Sequence, residues 1–391
     1  MWCEPGAGLA ASLPLRSAAV GANLELRIPA LGYTTLTVRA GEKDIPTRHP
    51  ATPGLAASER SLENEFLALT VESNGSLTVL DKRSGQTFTR WLTFENCADI
   101  GDGWNFGPAS NDRRFTSAAS SASVALAFDG PHMAALRIRT VMELPAAFDF
   151  ASNARQEHFE RLVIDSTVTL RAGQPRLEVE TTVFNTLRDH RLRVLFPGCA
   201  PGAQTYLADS PFDVVERPIA LRAGNHLYRE PEIEMKPQQT FTAVFDQQRG
   251  LAVLSTGLLE SAVIDHPGRT LALTLFRATG RTVYTDGEPG GQLQGELRFR
   301  YWLVPLAGVP NRAELCRLGQ LLEAGWLSAQ IAPADQFLHR DKISLPPEGG
   351  LLALQGDVVL SALQQVGAAL EARLWNPNSH PVSFTLHFMR R

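Results

Sequence analysis

Between residues 62 and 306 short runs of alternating apolar and polar residues recur, with turn-forming residues between them and almost no helical periodicity. That pattern excludes most folds. The sequence F-L-A-L-T-V-E at 66–72 and S-L-T-V-L-D at 76–81 flank Asn74-Gly75, a strong short-range hairpin signal. Further strands are expected at 124–128, 134–143, 162–171, 176–185, 192–196, 240–246, 251–255, 261–265, 270–276 and 293–303. The run at 176–185 alternates cleanly, with Leu177, Val179, Thr181 and Val183 on one face. Such a series predicts an all-β, large antiparallel sandwich.

The chain ends read differently. Residues 23–39 form two short strands around Pro29 to Gly32, and nothing substantial is expected before them. Two strands cannot bury a face alone, so they are expected to pair with the tail strands at 351–354, 358–364, 369–375 and 382–388. Asn311, Glu314, the leucine stripe Leu315, Leu318, Leu321 and Leu322, and Gly325 specify one capped helix, expected as a spacer out of the sandwich. The resulting plan has strands of a small β-domain at 1–40 and a Pro/Gly-rich linker at 41–61. The sandwich follows at 62–306, a helix and linker at 307–345, and partner strands of the small terminal β-sandwich at 346–391.

Composition excludes several partners. With 37 basic and 41 acidic residues among 391, and no clustered basic stripe, nucleic acid is not an expected partner. No apolar run reaches the length of a membrane span, and the N-terminus has neither a basic n-region nor a continuous h-region. Cys3, Cys97, Cys199 and Cys316 are scattered without C-x-x-C spacing, which argues against a disulfide framework or structural zinc. A cytoplasmic location is the expectation, and homo-oligomerisation stays open.

The chemistry concentrates at residues 94–108, F-E-N-C-A-D-I-G-D-G-W-N-F-G-P. Its glycines disfavour a helix and favour a loop displaying Asp99, Asp102, Trp104 and Asn105 at the end of a β-scaffold. Carboxylates accept hydrogen bonds from hydroxyls, and an indole stacks on the C–H face of a sugar. The alternative is a surface turn with its Trp tucked into the core.

This loop resembles the one that opens the C-terminal β-domain of glycoside hydrolase family 38, the α-mannosidases. Other segments agree in order: L-E-N-E-F-L-A-L-T-V-E-S-N-G-S-L-T-V-L-D-K-R-S-G, D-H-R-L-R-V-L-F-P, F-D-V-V-E-R, L-T-L-F-R-A-T-G, and D-V-V-L-S-A-L with R-L-W-N-P. I-P-A-L-G-Y-T-T-L is similar to the last strands of the small β-domain before the sandwich. The resemblance implies a galactose mutarotase-like super-sandwich that walls the active site. It implies that the loop faces the catalytic zinc pocket, with Asp99, Asp102, Trp104 and Asn105 as contacts or loop supports and Arg277 near the site. Relatives often carry a tyrosine at the position of Trp104.

The resemblance gives the zinc ligands and the aspartate nucleophile to an N-terminal catalytic domain, the expected partner of this chain besides a mannose-containing carbohydrate. No catalytic or metal-binding residue is therefore assigned to these 391 residues, and zinc is expected only in the complete enzyme. The nine histidines include no pair with metal-ligand spacing, and His190 is expected as a structural strand-edge residue. Asp99 and Asp102 lie close enough in sequence for a carboxylate pair, but the resemblance withholds the nucleophile role from them. Hydrolysis by this chain alone is not expected. Two other functions compete: a free-standing carbohydrate-binding module, and a mutarotase drawing on His226 with Glu230, Glu232 or Glu234.

Overall fold

The computed structural model describes residues 9–13, 22–26, 28–29, 31–36, 53–281, 289–329 and 346–388. The chain divides into two compact units, Gly54–Pro310 and a second formed by Met1–Pro53 with Asn311–Arg391. Antiparallel sheets dominate both, with one α-helix among the described residues.

The larger unit is a super-sandwich of five-, six- and nine-stranded sheets around a common core. The five-stranded sheet is a meander that includes the hairpin Leu67–Val71 and Leu77–Asp81. Gly75 turns that hairpin at φ +85°, a conformation that glycine adopts without Cβ strain. In the nine-stranded sheet, Leu177–Asn185 buries alternate residues as its sequence predicts, while Phe184 points outward. Leu69, Val79 and Trp91 meet Phe94, Val194 and Phe196 from the six-stranded sheet, and Leu136, Val179 and Tyr301 from the nine-stranded one. Trp91 is fully buried, packs edge-on against Phe196, and donates its indole N–H to Pro197 O at 3.2 Å.

The six-stranded sheet positions the candidate site. Thr93–Ala98 pairs with His190–Phe196, which pairs in turn with Thr270–Ala278. Cys97, Arg191 and Arg277 thus lie side by side across three strands. The loop therefore starts later than the sequence implies: residues 94–98 are strand, and only from Asp99 does the chain leave the sheet. Every residue of Thr93–Ala98 is buried, so the strand lacks the alternation that betrays a half-exposed one. Arg90 and Leu92, at φ 60° and 64°, carry the bend that separates it from the preceding strand Gln86–Trp91.

The second unit joins the two chain ends, with two differences from expectation. Gly32–Thr34 pairs with Glu348–Gly350, just upstream of the tail strands anticipated for it. Ala22–Leu26 pairs instead with Leu9–Leu13, a strand within a segment where none was expected. The tail strands pair among themselves, Leu352–Gly356 with Phe384–Phe388 and Val359–Val366 with Ala369–Trp375. Their core is Leu352, Leu354, Val358 and Leu360, joined by Leu31, Leu374 and Leu386.

The helix Arg312–Ala324 is capped as its sequence dictates: Asn311 Oδ1 accepts from the N–H groups of Ala313 and Glu314 at 2.9 and 3.2 Å. It is not a mere spacer. Arg317 donates to the carbonyls of Gly356 and Val358, and Gln320 to Leu360 O at 2.9 Å, so the helix is fastened to the tail strands. Burial of Ala313, Leu315 and Cys316 fixes which face it turns inward. Residues 41–52 of the anticipated linker lie outside the described residues.

Candidate functional site

The loop leaving Thr93–Ala98 is a closed structure held by its own residues. Asp99 Oδ1 accepts from the backbone N–H groups of Gly101 and Gly107 at 3.0 and 3.1 Å. Backbone bonds from Ile100 N to Gly107 O and from Asp102 N to Asn105 O, 2.9 and 3.0 Å, draw the two limbs together. The limbs touch so closely that a Cβ on Gly101 would lie 1.9 Å from Asn105 O, and one on Gly107 2.4 Å from Gly101 N. At the tip, Asp102 Oδ1 accepts from Trp104 N and Asn105 N, both at 2.8 Å. These backbone donors hold the Asp102 carboxyl below the usual carboxylate range.

Arg277 locks this loop to the sheet. Its Nε donates to Asp99 Oδ2 at 2.6 Å, and its Nη2 to Asp99 Oδ1 at 3.2 Å, Asp102 O at 2.9 Å and Asn105 O at 2.7 Å. One guanidinium thus clamps a carboxylate and two carbonyls, a use of its fixed donor fork that a lysine cannot reproduce. Thr279 Oγ1 adds a bond to Gly101 O at 2.8 Å. Phe106 closes the inner side, packing against Leu195, Met235, Ala262 and Ala272, with the Arg191 guanidinium 3.6 Å above its ring.

The five anticipated site residues fall into two groups. Asp99 and Arg277 are brought together as a clamp. Asp99 is wholly buried, so of the two roles expected for it, contact or loop support, only the support role stands: no face of its carboxylate is open to a ligand. Asp102, Trp104 and Asn105 form the tip, and Trp104 is 71% exposed. The tucked-in alternative for this indole is thereby excluded. Replacing Trp104 by alanine is expected to change unfolding free energy by no more than about 0.5 kcal/mol, because little packing is lost. A denaturant titration showing a core-sized loss of about 3–5 kcal/mol would contradict that. Thr279 and Arg191 were not singled out from sequence. Both follow from the strand order, which sequence spacing does not disclose.

His190 is the first residue of a strand interior to the sheet, not at its edge, and is completely buried. Asn96 Nδ2 donates to its Nδ1 at 2.7 Å and its Nε2–H donates to Asn185 Oδ1 at 3.0 Å, which defines a neutral imidazole. Burial, with the nearby Arg155 charge, lowers its pKa to about 3. Of the set considered for mutarotation, His226 and Glu230 are exposed. Glu232 is held by Lys236 and Arg222 N, and Glu234 by Arg193.

Among the described residues no group of three His, Cys, Asp or Glu side chains could hold a metal ion, so the zinc implied by the family resemblance has no ligand set there. The chain does contain one His-x-Asp tripeptide, His339-Arg340-Asp341, outside the described residues. It follows the sandwich, whereas the resemblance places the zinc pair before it. No helix of the described residues is long and apolar enough to cross a membrane.

Residues 62–285, over half of the chain, match the glycosyl hydrolases family 38 C-terminal domain, and the chain belongs to that family as its C-terminal region. A putative mannosylglycerate hydrolase of Halalkalibacterium halodurans is 28% identical over 271 residues, covering 64% of this chain and 29% of that protein. An α-mannosidase of Enterococcus faecalis V583 superposes with a TM-score of 0.80 at 26% identity, over 98% of this chain and 44% of that one. A second family 38 structure from Enterococcus faecalis gives 0.75 at 28% identity, over 86% and 40%. The chain spans less than half the length of each of these relatives.

Proposed function

We propose that this chain is the pocket-walling and structural portion of a family 38 α-mannosidase, and that the loop tip at Asp102, Trp104 and Asn105 contacts a mannose-containing substrate. The observation that carries this reading is the pairing of an exposed Trp104 with a rigid support. An indole left 71% in water, on a loop fixed by seven hydrogen bonds from Arg277, Thr279 and Asp99's backbone donors, is preorganised for stacking rather than for packing. The α-mannosidase and mannosylglycerate hydrolase names of two relatives support a mannoside as the substrate class.

In this reading retaining hydrolysis belongs to the complete enzyme, where a catalytic domain contributes the nucleophile and the zinc. Asp99 and Arg277 hold the loop, and the tip completes the sugar-binding wall. The chain alone binds sugar weakly and does not hydrolyse it, in a cytoplasmic setting.

The test joins this chain to the N-terminal remainder of the Enterococcus faecalis α-mannosidase in place of that enzyme's matching segment. The chain alone is expected to leave an aryl α-mannoside intact with or without zinc. The chimera is expected to cleave it, and Trp104→Ala in the chimera to lower kcat/KM at least about tenfold, roughly 1.4 kcal/mol of transition-state binding. Chelator-sensitive turnover by the chain alone, or an active chimera indifferent to Trp104→Ala, would refute the proposal.

A further inference from the structure

In the second unit, the hairpin of Val359–Val366 and Ala369–Trp375 projects beyond the core that roots it. Its base is anchored: Val359 and Leu360 are buried, and Leu363, Ala372 and Leu374 pack with the cluster of Leu352, Leu354 and Val358. Beyond that base every residue from Gln364 to Glu371 is exposed, with Val366 at 52% and Leu370 at 43%. The two strands form a sheet by themselves. Such a ribbon is marginal in water, and each free edge is a template for a further strand.

The two edges are not equivalent. The helix Arg312–Ala324 covers the base of Val359–Val366, where Gln320 Nε2 donates to Leu360 O at 2.9 Å and Arg317 Nη2 to Val358 O at 2.7 Å. Ala369–Trp375 has no such cover: among the described residues its backbone hydrogen-bonds only within the hairpin. It also lacks proline, lysine and a bulge of its own, the devices that usually blunt an edge.

The strand, A-L-E-A-R-L-W, is instead complementary to itself. Antiparallel pairing of two copies about Ala372 sets Glu371 opposite Arg373 twice and Leu370 opposite Leu374 twice. It also places the small Ala369 opposite the large Trp375. A slip by two residues would set Glu371 against Glu371 or Arg373 against Arg373, and a slip by one would turn every side chain to the other face. Charge and shape therefore favour one register. Leu370, which extends the apolar row of Ala372 and Leu374 past the core, gains a partner in it. We propose that two copies of this chain join along Ala369–Trp375, merging two hairpins into one continuous antiparallel sheet. The contact is one strand edge per copy, well below the area of an obligate dimer, so association is reversible.

The interface is independent of the mannosidase reading, and the test uses the full chain. Sedimentation velocity is expected to show a reversible monomer–dimer equilibrium between about 1 and 100 µM. Glu371→Arg and Arg373→Glu each turn two attractive pairs into two repulsive ones, and each is expected to raise the dimer dissociation constant at least about tenfold. Both positions are exposed, so the melting temperature of the monomer should not move. The double variant Glu371→Arg/Arg373→Glu restores the pairing with the signs exchanged, and should return to within about threefold of the wild type. An equimolar mixture of the two single variants is expected to form a heterodimer, because each presents the charges that the other lacks. The same charge change at exposed Glu59, in the larger unit, should leave the equilibrium unmoved. A wild-type chain that stays monomeric throughout that range would overturn the proposal and leave the edge to a different chain, such as the catalytic domain. Single variants that dimerise like the wild type, or a mixture that stays monomeric, would overturn it equally.

Discussion

Replacing Asp99 by alanine is expected to destabilise the sandwich by about 3–5 kcal/mol, the cost of leaving one partner of a buried ion pair uncompensated. The substitution strips Gly101 N and Gly107 N of their acceptor and leaves Arg277, with 16% of its side chain exposed, facing two carbonyls without a counter-charge. The loss reads out in a urea titration of the sandwich transition at constant m. Arg277→Met in the same background is expected to recover part of it, because the double variant no longer strands a buried cation. Asp102→Ala should cost far less, since its carboxylate bonds only exposed tip backbone. Equal losses for Asp99→Ala and Asp102→Ala would mean that the clamp does not fasten the loop.

The second large effect is with pH. The imidazole of His190 has its pKa lowered from 6.5 to about 3 in the folded chain. Well above pH 7 it is neutral in both folded and unfolded chains and contributes no pH dependence. Below 6.5 the unfolded chain takes up a proton that the folded chain refuses until about pH 3, so stability falls as pH falls through that window. The slope approaches about 1.4 kcal/mol per pH unit, which makes a loss of about 2 kcal/mol between pH 7 and pH 5. Denaturant titrations at those two pH values measure it. His190→Gln keeps a hydrogen-bonding side chain without the titration, and its stability should be nearly flat over the same interval. A wild-type protein equally stable at pH 5 and pH 7 would show that His190 is not held neutral.

The alternation of Leu177–Asn185 and the Asn74-Gly75 hairpin were legible because one face of each strand meets the core and the other meets solvent or a neighbouring edge. Thr93–Ala98 and His190–Phe196 were not, or only in part. Both are buried on both faces, and the second carries His190, Arg191 and Arg193 where a simple core strand would carry aliphatics. Asn311 announced its helix through cap chemistry, but nothing local says that Arg317 reaches the carbonyls of Gly356 and Val358. The candidate loop was visible as a cluster of acids, glycines and an indole. Its division into a buried anchor and an exposed tip was not, because the partner that defines the anchor, Arg277, is 178 residues away from Asp99 and arrives by way of a third strand.

The close contact of Gly101 with Gly107 sets limits on how this loop can vary. A side chain at either position would collide with backbone, whereas one at Gly103 would meet nothing within 4 Å, and Trp104 and Asn105 already project outward. Mutational freedom is therefore confined to three consecutive positions, 103 to 105, on a frame that tolerates almost no change. A library randomised only there would explore new ligand preferences at little cost in folding, much as hypervariable loops do on a constant scaffold. Drift in specificity within such a lineage should leave its record at those three residues, while positions 99, 101, 107 and 277 stay silent.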